Sequence, residues 1–103
     1  MIYIFWSSAN LEEAKRVVRG LVETRLIACA SLFPVTSIYR WEGKVEEGQE
    51  VKVVLKTQAK HFAKVEVYIL EHGSYKVPEI VSVEVSSAHP AYLKWLTQST
   101  KEM

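Results

Sequence analysis

The sequence predicts an α+β domain of order β-α-β-β-α-β with a further helix at the C-terminus. It is read as a single domain, 1–103, built on an antiparallel sheet with a long hairpin between strands two and three. Three observations carry this. Short β-branched and aromatic runs alternate with two stretches of helical periodicity. Glu42-Gly43 stands between two long strand-like runs, where a hairpin turn belongs. No linker, repeat or low-complexity stretch divides the 103 residues.

Residues 2–6, Ile-Tyr-Ile-Phe-Trp, read as a strand buried on both faces, with turn-formers behind it. Asn10 is a good N-cap for the first helix, and Glu13, three residues on, can reach back as in a capping box. Leu11, Ala14, Val18 and Leu21 recur at three and four residues, and Val17 and Val22 widen the stripe. Glu12, Glu13, Lys15, Arg16 and Arg19 are expected to face water. Acidic residues lead and basic ones follow, which suits the helix dipole. Gly20, inside this helix, costs about 1 kcal/mol against Ala unless it permits close packing.

Residues 27–33 read as a strand packed on both sides, with a bulge or bend expected at Pro34. The strand resumes from Val35 to Trp41, and residues 44–57 return as the third strand. There Val51, Val53 and Leu55 alternate with Lys52 and Lys56. Thr57 is a candidate cap for the second helix, whose stripe is Phe62, Val65 and Ile69 with His72 on the same line. Gly73 ends it. Ile80 to Val85 is the fourth strand. Ser87 and Pro90 open a last helix carrying Tyr92, Leu93, Trp95 and Leu96. Two βαβ halves in this order make the ferredoxin-like motif.

Net charge is +1, from 13 basic and 12 acidic residues, so no polycationic nucleic-acid surface is indicated. RNA-recognition motifs share the element order, but they need stacking aromatics on the third strand, and residues 50–57 have none. No segment approaches the roughly 20 apolar residues of a membrane span. The apolar start is too short for a signal peptide and lacks a basic lead. Cys29 is the single cysteine, which fits a reducing compartment. A soluble cytoplasmic protein is the expectation, with no nucleic acid and no membrane among its partners.

The hairpin is too long for one domain. Its two strands run from about residue 27 to 57, against five or six residues for an ordinary strand. An exposed ribbon of that length is a hazard unless a neighbour covers it, which argues for oligomerisation through strand pairing. Three Trp, five Tyr and three Phe supply apolar area that a partner subunit can cover. The charges along it, Arg40, Glu42, Lys44, Glu46, Glu47, Glu50 and Lys52, read as a solvated tip or as inter-subunit ion pairs.

Arg25-Leu26-Ile27-Ala28-Cys29-Ala30-Ser31-Leu32 resembles the signature of the CutA family. Further similar segments follow in order: Tyr39 to Lys44, Glu50-Val51 leading to Leu55-Lys56-Thr57, Tyr75 to Ile80, and Tyr92 to Leu96. Together they span nearly the whole chain. The resemblance implies a ferredoxin-like fold and a homotrimer in which the hairpins pair between neighbours. It also implies a part in tolerance of divalent metal ions, copper above all. The family's trimer is similar to that of PII signalling proteins, which adds a small-metabolite sensing role by fold analogy. Relatives carry His-Pro-Tyr ahead of Val-Pro-Glu. Here the run is His72-Gly73-Ser74-Tyr75, with His72 one position early and the Pro absent.

Metal binding would use Cys29, His72 and Glu79, since thiolate and imidazole suit copper or zinc and a carboxylate can complete the set. There is no Cys-x-x-Cys or His-x-x-x-His. Cys29 also reads as a small core residue. His72 also reads as a core residue, or as a cation favoured by a helix C-terminus. His61 is expected to be solvated, and His89 to lie in a loop or cap. Tyr39, Trp41, Lys56, Tyr75 and Glu79 are the second group, candidates for an aromatic-walled cleft between subunits; Tyr39 and Trp41 also read as interface anchors. No triad or phosphate-binding glycine loop is present, so a non-enzymatic protein with no obligatory cofactor is expected, Cu2+ or another divalent cation being the candidate ligand.

Overall fold

A computed structural model describes residues 1–100. The order is β1 (Ile2–Ser8), α1 (Leu11–Glu23), β2 (Cys29–Trp41), β3 (Lys44–Thr57), a 3₁₀ turn (Ala59–His61), α2 (Phe62–His72), β4 (Ile80–Glu84) and α3 (Pro90–Ser99). The four strands form one sheet in the order β2-β3-β1-β4, and every neighbouring pair is antiparallel. The expected α+β, ferredoxin-like architecture is the one observed.

Strand parity decides which side chains are buried. Ile2, Ile4 and Trp6 of β1 stand beside Thr57, Leu55 and Val53 of β3, and all six are buried. They meet Ala14, Val17 and Leu21 of α1 and Val65 and Ile69 of α2. Each fully buried aliphatic side chain stabilises by about 1.5–3 kcal/mol. The opposite face of the sheet has no such cover. Phe33, Val81 and Val83 are exposed there, and Tyr3 and Phe5 are half-buried. β1 and the start of β2 are therefore packed fully on one side only within a single chain, not on both.

The helix stripe is rotated from its expected phase. Leu11 and Val22 are exposed, whereas Val17 is buried. Asn10 caps α1 through Oδ1, which accepts from the Glu13 N–H at 2.9 Å. Glu13 does not face water; it is buried, for reasons taken up below. At the other end Arg25 N–H bonds the Val22 carbonyl and Leu26 N–H bonds the Leu21 carbonyl. This Schellman closure puts Arg25 in the left-handed region at φ 64 and delays β2 to Cys29. Gly20 does permit close packing: a Cβ there would lie 1.8 Å from the Tyr68 hydroxyl.

The hairpin turns on Glu42 (φ 50) and Gly43 (φ 79), the two positive values a type I′ turn demands. Its register runs unbroken from Cys29↔Lys56 to Trp41↔Lys44, so Pro34 makes no bulge. β2 is the outer strand, where a proline is tolerated. β1 reaches only as far as Val51, so the part beyond it is a free two-stranded arm. The chain is correspondingly elongated, 45 × 26 × 20 Å.

Thr57 does not cap α2. It lies in β3, and its hydroxyl donates to the Leu26 carbonyl at 2.6 Å. His61 is fully buried rather than solvated, with Nε2 2.6 Å from the Thr100 carbonyl. The end of α3 has no basic residue of its own in its last turn. Its carbonyls are satisfied from elsewhere, by Arg25 on Gln98 and Ser99, Gln58 on Thr97 and Thr100, and His61 on Thr100.

Candidate functional site

A cleft of about 540 Å³ opens where the arm leaves the sheet. Ser37, Tyr39 and Trp41 of β2, Glu50 of β3, Ser7 of β1, and Tyr75 and Glu79 of the loop before β4 line it. Strand alternation explains the convergence. Ser37, Tyr39 and Trp41 share one parity, while Ser7 pairs with Lys52, which shares parity with Glu50. All point to the sheet face opposite α1 and α2. The loop 73–79 then runs past the end of β1 and closes the far wall.

Glu50 is the polar centre. One carboxylate oxygen accepts from the Ser37 hydroxyl at 2.6 Å, and the other from the Tyr75 hydroxyl at 3.0 Å. Burial, and next the bond to Glu50, push the Tyr75 phenol up to about 12, so it stays a donor at neutral pH. Glu79 accepts from Lys52 and, at 2.9 Å, from Ser7. The Lys52 bond holds the Glu79 carboxyl below the usual carboxylate value; partial burial opposes this and the Ser7 hydroxyl adds to it.

The loop is clamped from behind by Glu13. Its Oε1 accepts from the Ser74 N–H at 2.7 Å, and its Oε2 from the Ser8 hydroxyl at 2.6 Å and the Ala9 N–H at 3.1 Å. Burial of Glu13 works against ionisation, but these donors outweigh it and the carboxyl lies below its ordinary value. Tyr75 follows directly on the clamped Ser74, so a residue read as solvated in the sequence positions one wall of the cleft.

Four of the five residues grouped from the sequence, Tyr39, Trp41, Tyr75 and Glu79, lie together in this cleft, which is formed within one chain and not, as expected, between subunits. Lys56 does not. It bonds Ser31 at 3.1 Å and stands 5.8 Å from the Tyr3 ring centroid, on the bare face of the sheet. Ser7 and Ser37 were not singled out, and Glu50 and Lys52 were read only as hairpin charges, solvated or paired between subunits, although their parity with Tyr39 and Trp41 was open to reading once the Glu42-Gly43 turn set the register. Within one chain the three metal candidates stay apart. Cys29 is half-buried, 3.6 Å from the Tyr92 hydroxyl. His72 is exposed at the end of α2, stacked on Tyr68 and bonded through Nδ1 to the Tyr68 carbonyl. Glu79 is held by Lys52 and Ser7. Among the described residues no group of three or more His, Cys, Asp or Glu side chains could hold a metal ion. The described residues of a single chain therefore do not fit a metal centre. No helix among the described residues is long and apolar enough to cross a membrane.

A four-stranded antiparallel sheet under two helices, with an aromatic cleft at the root of an extended hairpin, defines a ferredoxin-like domain. Residues 2–99 match the family model described as CutA1 divalent ion tolerance protein, and the chain belongs to that family. It is 39% identical over 102 residues to the divalent-cation tolerance protein CutA of Pyrococcus horikoshii, covering 99% of this chain and 100% of the relative. It is 37% identical over 100 residues to the mouse Protein CutA, covering 96% of this chain but only 56% of that longer relative. The structure of the PII-like protein CutA from Nostoc sp. superposes with a TM-score of 0.92 at 30% identity, over 100% of both chains.

Proposed function

We propose that the protein is a non-enzymatic, cytoplasmic homotrimer that serves divalent-cation tolerance by sensing a small ligand in its cleft. The cleft itself carries this reading: a recess of about 540 Å³ with aromatic walls and a few anchored polar groups has the make-up of a small-molecule site. The description of the Nostoc relative as PII-like supports it. The trimer is supported by the arm, which exposes Ile38, Tyr39, Trp41 and Val45, and by the bare sheet face with Phe33, Val81 and Val83. Light scattering should return three times the chain mass of 11.8 kDa. A monomer mass at micromolar concentration would sink the assembly. For the cleft, a thermal-shift screen of charged and neutral small molecules should find stabilisers that Trp41→Leu abolishes. A screen in which no compound depends on Trp41 would remove the sensing role.

Direct binding of copper or another divalent cation is the second reading, favoured by a half-buried Cys29 thiol on the bare sheet face. Because the ligands of one chain do not converge, this reading needs ligands from more than one subunit. Calorimetric titration with Cu(II) and Zn(II) should then give an integral number of sites per trimer, lost in Cys29→Ser or Glu79→Ala. Heat that survives both substitutions would mean adventitious binding.

A further inference from the structure

The cleft reading above can be taken further, because its wall and its charges are unequal. The walls are Tyr39, Trp41 and Tyr75. Aromatic faces attract cations and repel anions, with Trp the strongest of the three types. Two carboxylates reach the cleft, but only one is neutralised. Glu79 is paired with Lys52. Glu50 has as partners the hydroxyls of Ser37 and Tyr75, which donate to it without cancelling its charge. Lys76 also lines the cleft, yet it is exposed, and its flexible stem lets the ammonium lie in water. A phenol held protonated up to about 12 beside Glu50 agrees with a site that resists further negative charge.

Resting on the cleft as a ligand site, we infer that its ligand is a small organic cation, an ammonium on an apolar body. Glu50 would take the charged head, and Tyr39, Trp41 and Tyr75 would enclose the body and the face of the cation. A bare divalent ion fits these groups poorly. A hard ion such as Ca2+ or Mg2+ wants six or more oxygen ligands, whereas the aromatic walls supply none beyond two phenols and one of the carboxylates is already committed to Lys52; for copper or zinc the cleft lining holds no thiolate or imidazole. An anionic metabolite would meet Glu50 unshielded.

The test uses one body in three charge states: cyclohexylammonium, cyclohexanol and cyclohexanecarboxylate, titrated at pH 7 and constant ionic strength into the intact protein, with tryptophan fluorescence and calorimetry as readouts. Cyclohexylammonium should bind at least tenfold more tightly than the alcohol, at one site per chain, and the carboxylate more weakly than either. Glu50→Gln keeps the size, and its amide can accept from one of the two hydroxyls and donate to the other once that hydroxyl rotates, so it should fold normally and erase the preference for the cation. Trp41→Leu, compared at a mass that light scattering shows to be unchanged, should weaken all binding. If alcohol and ammonium bind equally, or the preference survives in Glu50→Gln, the cation inference is overturned while the cleft remains a ligand site. If the carboxylate binds best and Trp41→Leu abolishes it, the ligand class is reversed. If no probe gives a response that depends on Trp41, both the inference and the sensing role fall together.

Discussion

β3 is one strand in two settings. From Val51 to Thr57 it has β1 on one side, β2 on the other and helices across one face; Val53 and Leu55 are fully buried there. From Lys44 to Glu50 it pairs with β2 alone, and Val45 is 67% exposed. Apolar residues occur in both halves, so composition does not separate them. What differs is whether the same chain supplies a covering surface. An isolated two-stranded ribbon is marginal in water, so in the trimer proposed above the arm would gain its stability from a neighbouring subunit. The body carries the fold, and the arm contributes Ser37, Tyr39, Trp41 and Glu50 to the cleft while leaving apolar side chains exposed.

The sharpest way to break that contrast is one large-to-small change in each region. Leu55→Ala leaves a cavity among Ile4, Val17, Leu21 and their neighbours in the core, and should cost about 2–5 kcal/mol in urea unfolding. Trp41→Ala removes a side chain already 45% exposed. Its effect should fall on mass by light scattering and on the concentration dependence of melting, not on the unfolding of the single chain. If Trp41→Ala destabilised at unchanged mass as much as Leu55→Ala, the arm would belong to the fold itself.

Glu13 ties the body to the cleft, and its expected effect is next in size. Glu13→Ala leaves the Ser74 and Ala9 N–H groups and the Ser8 hydroxyl without their carboxylate, at a cost of about 2–3 kcal/mol. The sign of its pH dependence follows from a folded carboxyl held below its ordinary 4.5. Such a group contributes stability above the unfolded value and loses it as pH falls through the lower folded value. Glu13→Gln should therefore trail the native protein at pH 7, with the gap closing below pH 4.5. A gap that stayed constant down to pH 2 would show that charge at Glu13 is immaterial. Because Ser74 precedes Tyr75, the same variant should also weaken any ligand that Trp41 binds.

The local signals that the chain carries openly were the ones legible in the sequence. Asn10 caps α1, Glu42-Gly43 turns the hairpin, and Val51, Val53 and Leu55 face the core as their alternation implied. The cleft was legible in part, because Tyr39 and Trp41 share a parity and Tyr75 and Glu79 share a loop. Glu13 and His61 were misread for one reason. Charge and polarity mark a residue for water unless it has partners, and their partners come from segments distant in sequence: Ser74 for Glu13 and Thr100 for His61. Pro34 was misread because a proline disrupts a ladder only where its missing N–H was needed, and β2 turned out to be the outer strand. Lys56 was grouped with the cleft because the end of the third strand was expected to meet the hairpin and the start of the fourth strand between subunits, yet it lies four residues along β3 from Lys52, about 13 Å at strand rise.

The Gly20–Tyr68 contact tests packing within the body more finely. Gly20→Ala must push the Tyr68 hydroxyl away from 1.8 Å and disturb its stack on His72. Alanine also gains about 1 kcal/mol of helix propensity, so the net loss should be about 1 kcal/mol. In a Tyr68→Ala background the obstruction is gone and only the propensity remains. Gly20→Ala should then stabilise, by up to about 1 kcal/mol. That reversal of sign in a double-mutant cycle is the result to look for, and additivity would refute the contact.

Arg25 gives the smallest expected effect and shows how the body tolerates strain that the arm has no means to offset. Its backbone sits at φ 64, where an L-residue other than glycine is held at about 1–2 kcal/mol. Its guanidinium meanwhile donates to the Gln98 carbonyl at 2.9 Å and the Ser99 carbonyl at 3.4 Å, closing the end of α3. Arg25→Ala keeps the strain and loses the bonds. Arg25→Gly loses the bonds and relieves the strain. The glycine variant should therefore unfold about 1 kcal/mol later than the alanine variant and close to the native protein. The turn at Glu42 also has a positive φ, 50, but is an exposed tip, with nothing for its side chain to close. Glu42→Asn should accordingly gain a few tenths of a kcal/mol with no compensating loss. If Arg25→Gly and Glu42→Asn both stabilised outright, the Arg25 side chain would contribute nothing to holding α3, and body and arm would treat a left-handed residue alike.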